Sequence, residues 1–274
     1  MISPKDFYEA LCEENITFFT GVPDSLLKDF TLFIEDHAPE ARHIIAANEG
    51  GAIALASGWH LATGKKAFVY MQNAGEGNAI NPLLSLADPG VYAIPMLILI
   101  GWRGEPGTTD EPQHMHQGAV TVKLLQTLDI AYEVLPDTLA AAAEAIKRAR
   151  AYMDQKSAPF VFVAKKGVFA PYKREEKTLA SYDSTREDVL KTVLEMLEPR
   201  DIVIATTGHT GRELFELRKE RSEGHKRDFL NIGAMGHVSQ IALAVAMAKP
   251  GRRIFCFDGD GSVLMHMGAL AIVG

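Results

Sequence analysis

The sequence has 274 residues, 47% of them hydrophobic and 23% charged, and a formal net charge of −7. This describes a soluble globular chain with room for two ordinary domains. The acidic balance, with no Lys/Arg block, excludes general affinity for nucleic acid or an anionic membrane surface. Ser3-Pro4-Lys5-Asp6 reads as an N-cap, a proline at the first helical position and an acid in the first turn. The charges around it (Lys5, Asp6, Glu9, Glu13, Glu14) leave no secretory apolar core. β-rich runs then follow at 17–20, 43–47, 67–71, 96–100, 132–135 and 160–164, with helices expected at 24–36, 51–63, 79–87, 118–128 and 138–153. The strand runs are continuously apolar rather than alternating, as in a parallel sheet covered on both faces. The longest apolar run, 93–100, is far short of the roughly 20 residues that span a bilayer. Cys12 and Cys256 fit no CxxC spacing, which suits a reducing, cytoplasmic setting.

From Lys165 the chain turns polar and loses its periodicity; residues 167–186 read as a linker between a domain at 1–166 and a second at 187–274. The β/α rhythm resumes with helices at 187–197, 212–219 and 238–247 and strands at 202–205, 229–231 and 254–257. The expected fold class is α/β, with two doubly wound parallel-sheet domains. Only three strands follow the linker, so the second domain is expected to be incomplete at its C-terminal end.

Four turns carry candidate chemistry. The last is Asp258-Gly259-Asp260-Gly261-Ser262. As an EF-hand it fails, because Val263 and Ala269 occupy the positions that need glycine and a bidentate glutamate. What remains is a strand end followed by a glycine turn, where a carboxylate can hold Mg²⁺ beside a phosphate, or a plain βα turn with solvated aspartates. The turn Gln72-Asn73-Ala74-Gly75-Glu76-Gly77-Asn78 approaches GxGxxG, but Ile80 stands where the third glycine belongs. Glu49 follows another strand and precedes a helix rich in small residues. It is either a complement to the helix dipole or a desolvated acid whose pKa burial raises. The stretch 101–117 reads as a polar loop with Arg103, His114 and His116. It lacks a third ligand at zinc spacing, so an anion-binding loop with a histidine proton donor fits it better than a metal site.

In this order the pieces resemble the thiamine diphosphate (ThDP) decarboxylase family, through "ANEGGAIALASG", "QNAGEGNAINP", "NIGAMGHVSQIALAVA" and the Gly259-Asp260-Gly261 turn. The resemblance implies a pyrimidine-binding domain followed by a diphosphate-binding domain. It implies ThDP and Mg²⁺ as cofactors, and non-oxidative decarboxylation of a 2-oxo acid bearing a phosphonate group. Another 2-oxo acid, or a non-catalytic partner subunit of the same fold, is the alternative. Glu49 would bond the pyrimidine N1′, Met235 would wedge between the two rings, and the Gly233 carbonyl would accept from the 4′-amino group. Gly75 and Asn78 would lie on the pyrimidine side. Gly208, His209, Thr210, Gly259, Gly261 and Ser262 would face the diphosphate, with Asp260 on the metal. His114 or His116 is expected to donate the proton, with Asp24 and Ser25 next, and Arg103 or the weaker Lys28 to meet the phosphonate. Glu49 of one copy would serve the cofactor held by Asp260 of another, so self-association with shared active sites is implied. The family's second metal ligand, an asparagine about two dozen residues beyond Asp260, does not occur before Gly274; a fragment of a longer protein is the expectation.

Overall fold

The computed structural model describes residues 1–174 and 182–274. The chain forms two compact units that divide between residues 176 and 177. Part of the expected linker, 175–181, lies outside the described residues.

The first unit is built on a six-stranded, wholly parallel sheet in the order β2-β1-β3-β4-β6-β5. Its strands are β1 (Phe19–Gly21), β2 (His43–Ile45), β3 (Phe68–Gln72), β4 (Leu97–Gly101), β5 (Ala131–Val134) and β6 (Phe160–Ala164). Because successive side chains in a strand point to opposite faces, each apolar run fills two cores. Phe68, Tyr70, Leu97, Leu99, Phe160 and Phe162 pack under α1 (Pro4–Glu13), α2 (Lys28–His37) and α6 (Leu139–Lys156). Val69, Met71, Ile98, Ile100, Val161 and Val163 pack under α3 (Glu49–Thr63), α4 (Glu76–Pro82) and α5 (Pro112–Thr127). Each such fully buried side chain contributes about 1.5–3 kcal/mol.

Caps fix several helix starts as the sequence suggests. The Ser3 hydroxyl accepts from the Asp6 N–H with Pro4 at N1, and the Asn48 side chain accepts from the Gly51 N–H. Three expectations are corrected. The helix expected from residue 24 begins at Lys28, because the Asp24 carboxylate takes the N–H groups of Leu26 and Leu27 into a bend. The helix expected over 79–87 starts at Glu76, runs to Pro82 and widens into a π-turn over Leu83–Ala87. The polar loop over 101–117 is a loop only to Glu111; Pro112 opens α5, so His114 and His116 are helical. The first residues of the expected linker also pack on this unit. Val168 and Phe169 are buried, Phe169 stacks on Phe30, and Ile2 pairs with Phe169.

The second unit carries a three-stranded parallel sheet, β8-β7-β9, from β7 (Ile202–Ala205), β8 (Asp228–Leu230) and β9 (Ile254–Phe257). One face is covered by α7 (Arg186–Glu195) and α8 (His209–Glu220), through Leu190, Leu194, Leu214 and Leu217. The other face meets α9 (Val238–Ala248) through Val238 and Ala242 against Ile204. After β9 come α10 (Asp260–Met265) and α11 (Leu270–Val273). Among the described residues, no helix is long and apolar enough to cross a membrane.

Candidate active site

Parallel register brings the strand ends of the first unit to one edge: Gly21 is level with Tyr70, Gln72 with Gly101, and Gly101 with Ala164. Everything that follows those residues therefore gathers at the carboxyl edge of the sheet, where open α/β sheets bind ligands. Two clusters form there.

The first surrounds Glu49, which is 4% exposed at the start of α3. Asn78 Nδ2 donates to its Oε2 at 2.8 Å. The carboxylate lies directly on Gly75, where any Cβ would collide with it. A glycine is required at 75 for this close approach. Glu49, Gly75 and Asn78, placed 29 residues or fewer apart in the chain, are thus assembled as one feature.

The second cluster is formed by Asp24, Ser25, Arg103 and His114. Asp24 is 4% exposed; Gln72 Nε2 donates to its Oδ1 at 2.6 Å, while Oδ2 has no hydrogen-bond partner among the described residues. Burial pushes its pKa up, against the pull of Gln72, the Leu26 and Leu27 N–H groups and the Arg103 charge. Oδ2 lies against Gly101, so a side chain there would displace it. Arg103 grips Asp110 with two nitrogens, Nε donating at 2.8 Å, and its Nη1 donates to Ser25 Oγ at 2.9 Å. Asp110 also accepts from the N–H groups of Gly104 and Glu111. The guanidinium, with those donors, holds the Asp110 carboxyl well below the usual carboxylate range. Burial lowers the His114 pKa, the Arg103 charge adding to the effect; its Nδ1 is buried with no partner among the described residues. His116 and Lys28 are exposed.

In the second unit, Ala205 is level with Leu230 and Phe257, so the loops after β7, β8 and β9 also share one edge. Ser262, 4% exposed, ties them together. Its Oγ accepts from the Thr206 hydroxyl at 3.1 Å and from the Gly236 N–H at 3.0 Å. Met235 packs its methyl against Gly261, 3.3 Å from the position a Cβ would take there. Gly208 caps α8 at φ +88°, leaving His209 and Thr210 in the first turn of a 12-residue helix. The N–H groups of such a turn have no intrahelical partners and attract an anion. Gly233 precedes Met235 on the same loop. Asp260 is exposed and accepts from the Gly261 N–H at 2.8 Å, and the Gly259 N–H donates to Asp258 at 2.9 Å. Among the described residues no three His, Cys, Asp or Glu side chains converge as a metal cage. A lone carboxylate beside a phosphate cradle matches the way Mg²⁺ is bound, through one or two carboxylates plus phosphate oxygens. The residues present therefore fit a diphosphate with its cation, and the Glu49 cluster fits a ring whose nitrogen bonds a buried acid.

Comparisons with known proteins find relatives along the whole chain. Residues 5–125 match the family model described as the thiamine pyrophosphate enzyme N-terminal TPP binding domain, and residues 206–273 match the C-terminal TPP binding domain. The phosphonopyruvate decarboxylase of Streptomyces viridochromogenes is 35% identical over 293 aligned residues, covering 100% of this chain and 70% of that protein. The chain belongs to the thiamine pyrophosphate enzyme family. Within that family of ThDP enzymes its relatives are decarboxylases, carbon–carbon lyases. The sulfopyruvate decarboxylase subunit alpha of Methanococcus maripaludis is 36% identical over 125 residues, 46% of this chain and 72% of that subunit. The crystal structure of benzoylformate decarboxylase from Polynucleobacter necessarius shares the fold, with a TM-score of 0.50 at 19% identity over 76% of this chain. The matched part spans 39% of that solved chain.

Several residues of the site carry no sequence signal of their own. Asp110 sits in a run with Glu111 and looks like a surface acid until Arg103 folds onto it. Gln72 and Asn73 close the β3 run and read as turn residues. The one usable cue was Pro112 after two acids, a helix start that places His114 in the first turn.

Proposed function

We propose that this protein decarboxylates phosphonopyruvate, without oxidation, to phosphonoacetaldehyde and CO₂, using ThDP and Mg²⁺ in an assembly of at least two copies that share active sites. The likeness of the whole chain to the S. viridochromogenes enzyme carries this reading; the two strand-end clusters and the anion cradle support it. Residues 1–166 would serve as the pyrimidine-binding domain and 187–274 as the diphosphate-binding domain, joined by 167–186.

Bound ThDP supplies the electron sink for loss of CO₂. The chain's own residues supply place and protons. Glu49, fixed by Asn78 and the Gly75 floor, would hydrogen-bond the pyrimidine ring nitrogen. Gly208, His209, Thr210, Gly259, Gly261 and Ser262 would cradle the diphosphate, and Asp260 would hold the cation. Met235 and Gly233 would set the bend between the rings. Arg103, already oriented by Asp110 and Ser25, and Lys28 would meet the phosphonate. Asp24, kept protonatable by burial, would hold a proton at Oδ2, with the His114 ring nitrogen, and more distantly His116, as the other donors.

Sulfopyruvate is the second reading, because the M. maripaludis subunit matches at similar identity over part of the chain. The purified protein, incubated with ThDP, Mg²⁺ and each oxo acid in parallel, should release aldehyde faster from phosphonopyruvate. Glu49→Gln should cut that rate by about 10²–10⁴-fold while leaving the fold intact. Full activity in the variant would remove Glu49 from its role, and preference for sulfopyruvate would replace the substrate.

A further inference from the structure

Glu76 is a buried acid to which the function above assigns no task. It is the first residue of α4, 7% exposed, and its Oε1 has no hydrogen-bond partner among the described residues. Met71 of β3, Ile98 and Ile100 of β4, Val161 of β6, and Leu124 and Leu125 of α5 close around it, leaving a cavity of about 10 Å³. That is room for at most about one water. Its polar neighbour is Thr121. The Thr121 hydroxyl donates to the Gln117 carbonyl at 2.8 Å and accepts from Asn73 Nδ2 at 2.9 Å. Its one hydrogen is therefore committed, and it offers Glu76 a lone pair. A carboxylate cannot bond a lone pair; a carboxylic acid can.

The chain of contacts continues to the candidate substrate cation. Asn73 Nδ2 also donates to the Arg103 carbonyl at 2.8 Å, and Asn73 Oδ1 accepts from the Arg103 N–H at 3.3 Å. The Arg103 peptide is clamped on both sides by one amide, which is anchored in turn on Thr121. Burial raises the Glu76 pKa to about 8; a Thr121 hydroxyl turned to donate to Glu76 would pull it down, and the bond to Gln117 turns that hydrogen away. The titratable groups on the elements packed around it are Glu49 of α3, Tyr70 of β3, and His114, His116 and Lys123 of α5; burial dominates the shift.

We propose that Glu76 is a positioning residue: as a neutral acid it donates to Thr121 and so holds Asn73 and the Arg103 peptide in the geometry that binds the anionic end of the substrate. Its ionisation breaks that bond and loosens the grip. This rests on Arg103 being the substrate cation, and the experiment separates the two ideas by measuring binding without turnover. Phosphonoacetate serves as an unreactive probe, titrated calorimetrically into the ThDP-loaded protein from pH 6.5 to 9.5. Wild type should bind it with a Kd that rises above pH 8. In Glu76→Gln, whose amide can donate to Thr121 at every pH, Kd should stay level. In Glu76→Leu, Kd should be about tenfold weaker already at pH 7. Infrared difference spectra should show a protonated carboxyl band that titrates near pH 8 in wild type and is missing in Glu76→Gln. An ionised Glu76 at pH 7, or a Glu76→Leu variant that binds like wild type, would overturn the proposal while leaving the decarboxylase reading intact. Absence of binding to wild type would overturn the Arg103 assignment and the proposal with it. Binding that follows the expected pattern without turnover of either oxo acid would sustain the proposal and sink the activity.

Discussion

Replacing Glu76 by glutamine should abolish a pH dependence of stability whose size follows from burial. A carboxyl raised from 4.5 to about 8 in the folded protein stays protonated after its unfolded counterpart has ionised. The unfolded state then binds fewer protons, so stability falls as pH rises from about 4.5 and levels off above about 8. At about 1.4 kcal/mol per pH unit, the accumulated loss is about 5 kcal/mol, comparable with the whole stability of many domains. Glutamine keeps the shape and carries no proton to lose, so the variant should gain on wild type steadily through this window. Both tryptophans, Trp59 and Trp102, lie in the first unit, so guanidinium unfolding followed by tryptophan fluorescence reports that unit specifically. Other groups titrate equally in both proteins and cancel in the difference. A stability difference constant within about 0.5 kcal/mol from pH 5 to 9 would refute the burial of a neutral Glu76.

Asp24→Asn should abolish most of the decarboxylase activity while making the unit more stable at neutral pH. A buried acid with a raised pKa costs stability as pH climbs through the ordinary carboxylate range, and asparagine does not; parallel activity and melting curves check this. Gly75→Ala should drive a methyl into the Glu49 carboxylate, costing about 1–3 kcal/mol and weakening ThDP binding, read by melting temperature and cofactor fluorescence quenching. Asp110→Asn should free the 103–111 segment, raising KM more than it lowers kcat and speeding proteolysis there. Ser262→Ala strands the Gly236 N–H and the Thr206 hydroxyl, and should cost about 1–3 kcal/mol per buried orphan, confined to the second unit in hydrogen exchange.

The strand pattern was plain in the sequence because a parallel sheet buried on both faces writes itself as unbroken apolar runs. Runs 160–164, 202–205 and 254–257 coincide with β6, β7 and β9. Helix starts were legible where a cap sits beside the first turn, as at Ser3-Pro4. They were lost where a side chain competes for the backbone, as Asp24 does, and where a polar run conceals an N-terminal proline, as at Pro112. Glu49 was legible by its place after a strand. Glu76 was not, because glutamate between two glycines has the composition of a solvated turn. Its burial comes from Ile98, Val161 and Leu124, brought over it by three other elements. Arg103 was visible as a cation, but its bond to Asp110, seven residues away, arises only when the 104–110 loop closes on itself.

The stretch from Gln72 to Asn78 is tied to four separate parts of the first unit: to Asp24, to the Arg103 peptide, to Thr121 and to Glu49. Redesign of this protein should therefore spare that turn. One substitution in it would disturb the settings of Asp24, the Arg103 peptide and Glu49 together.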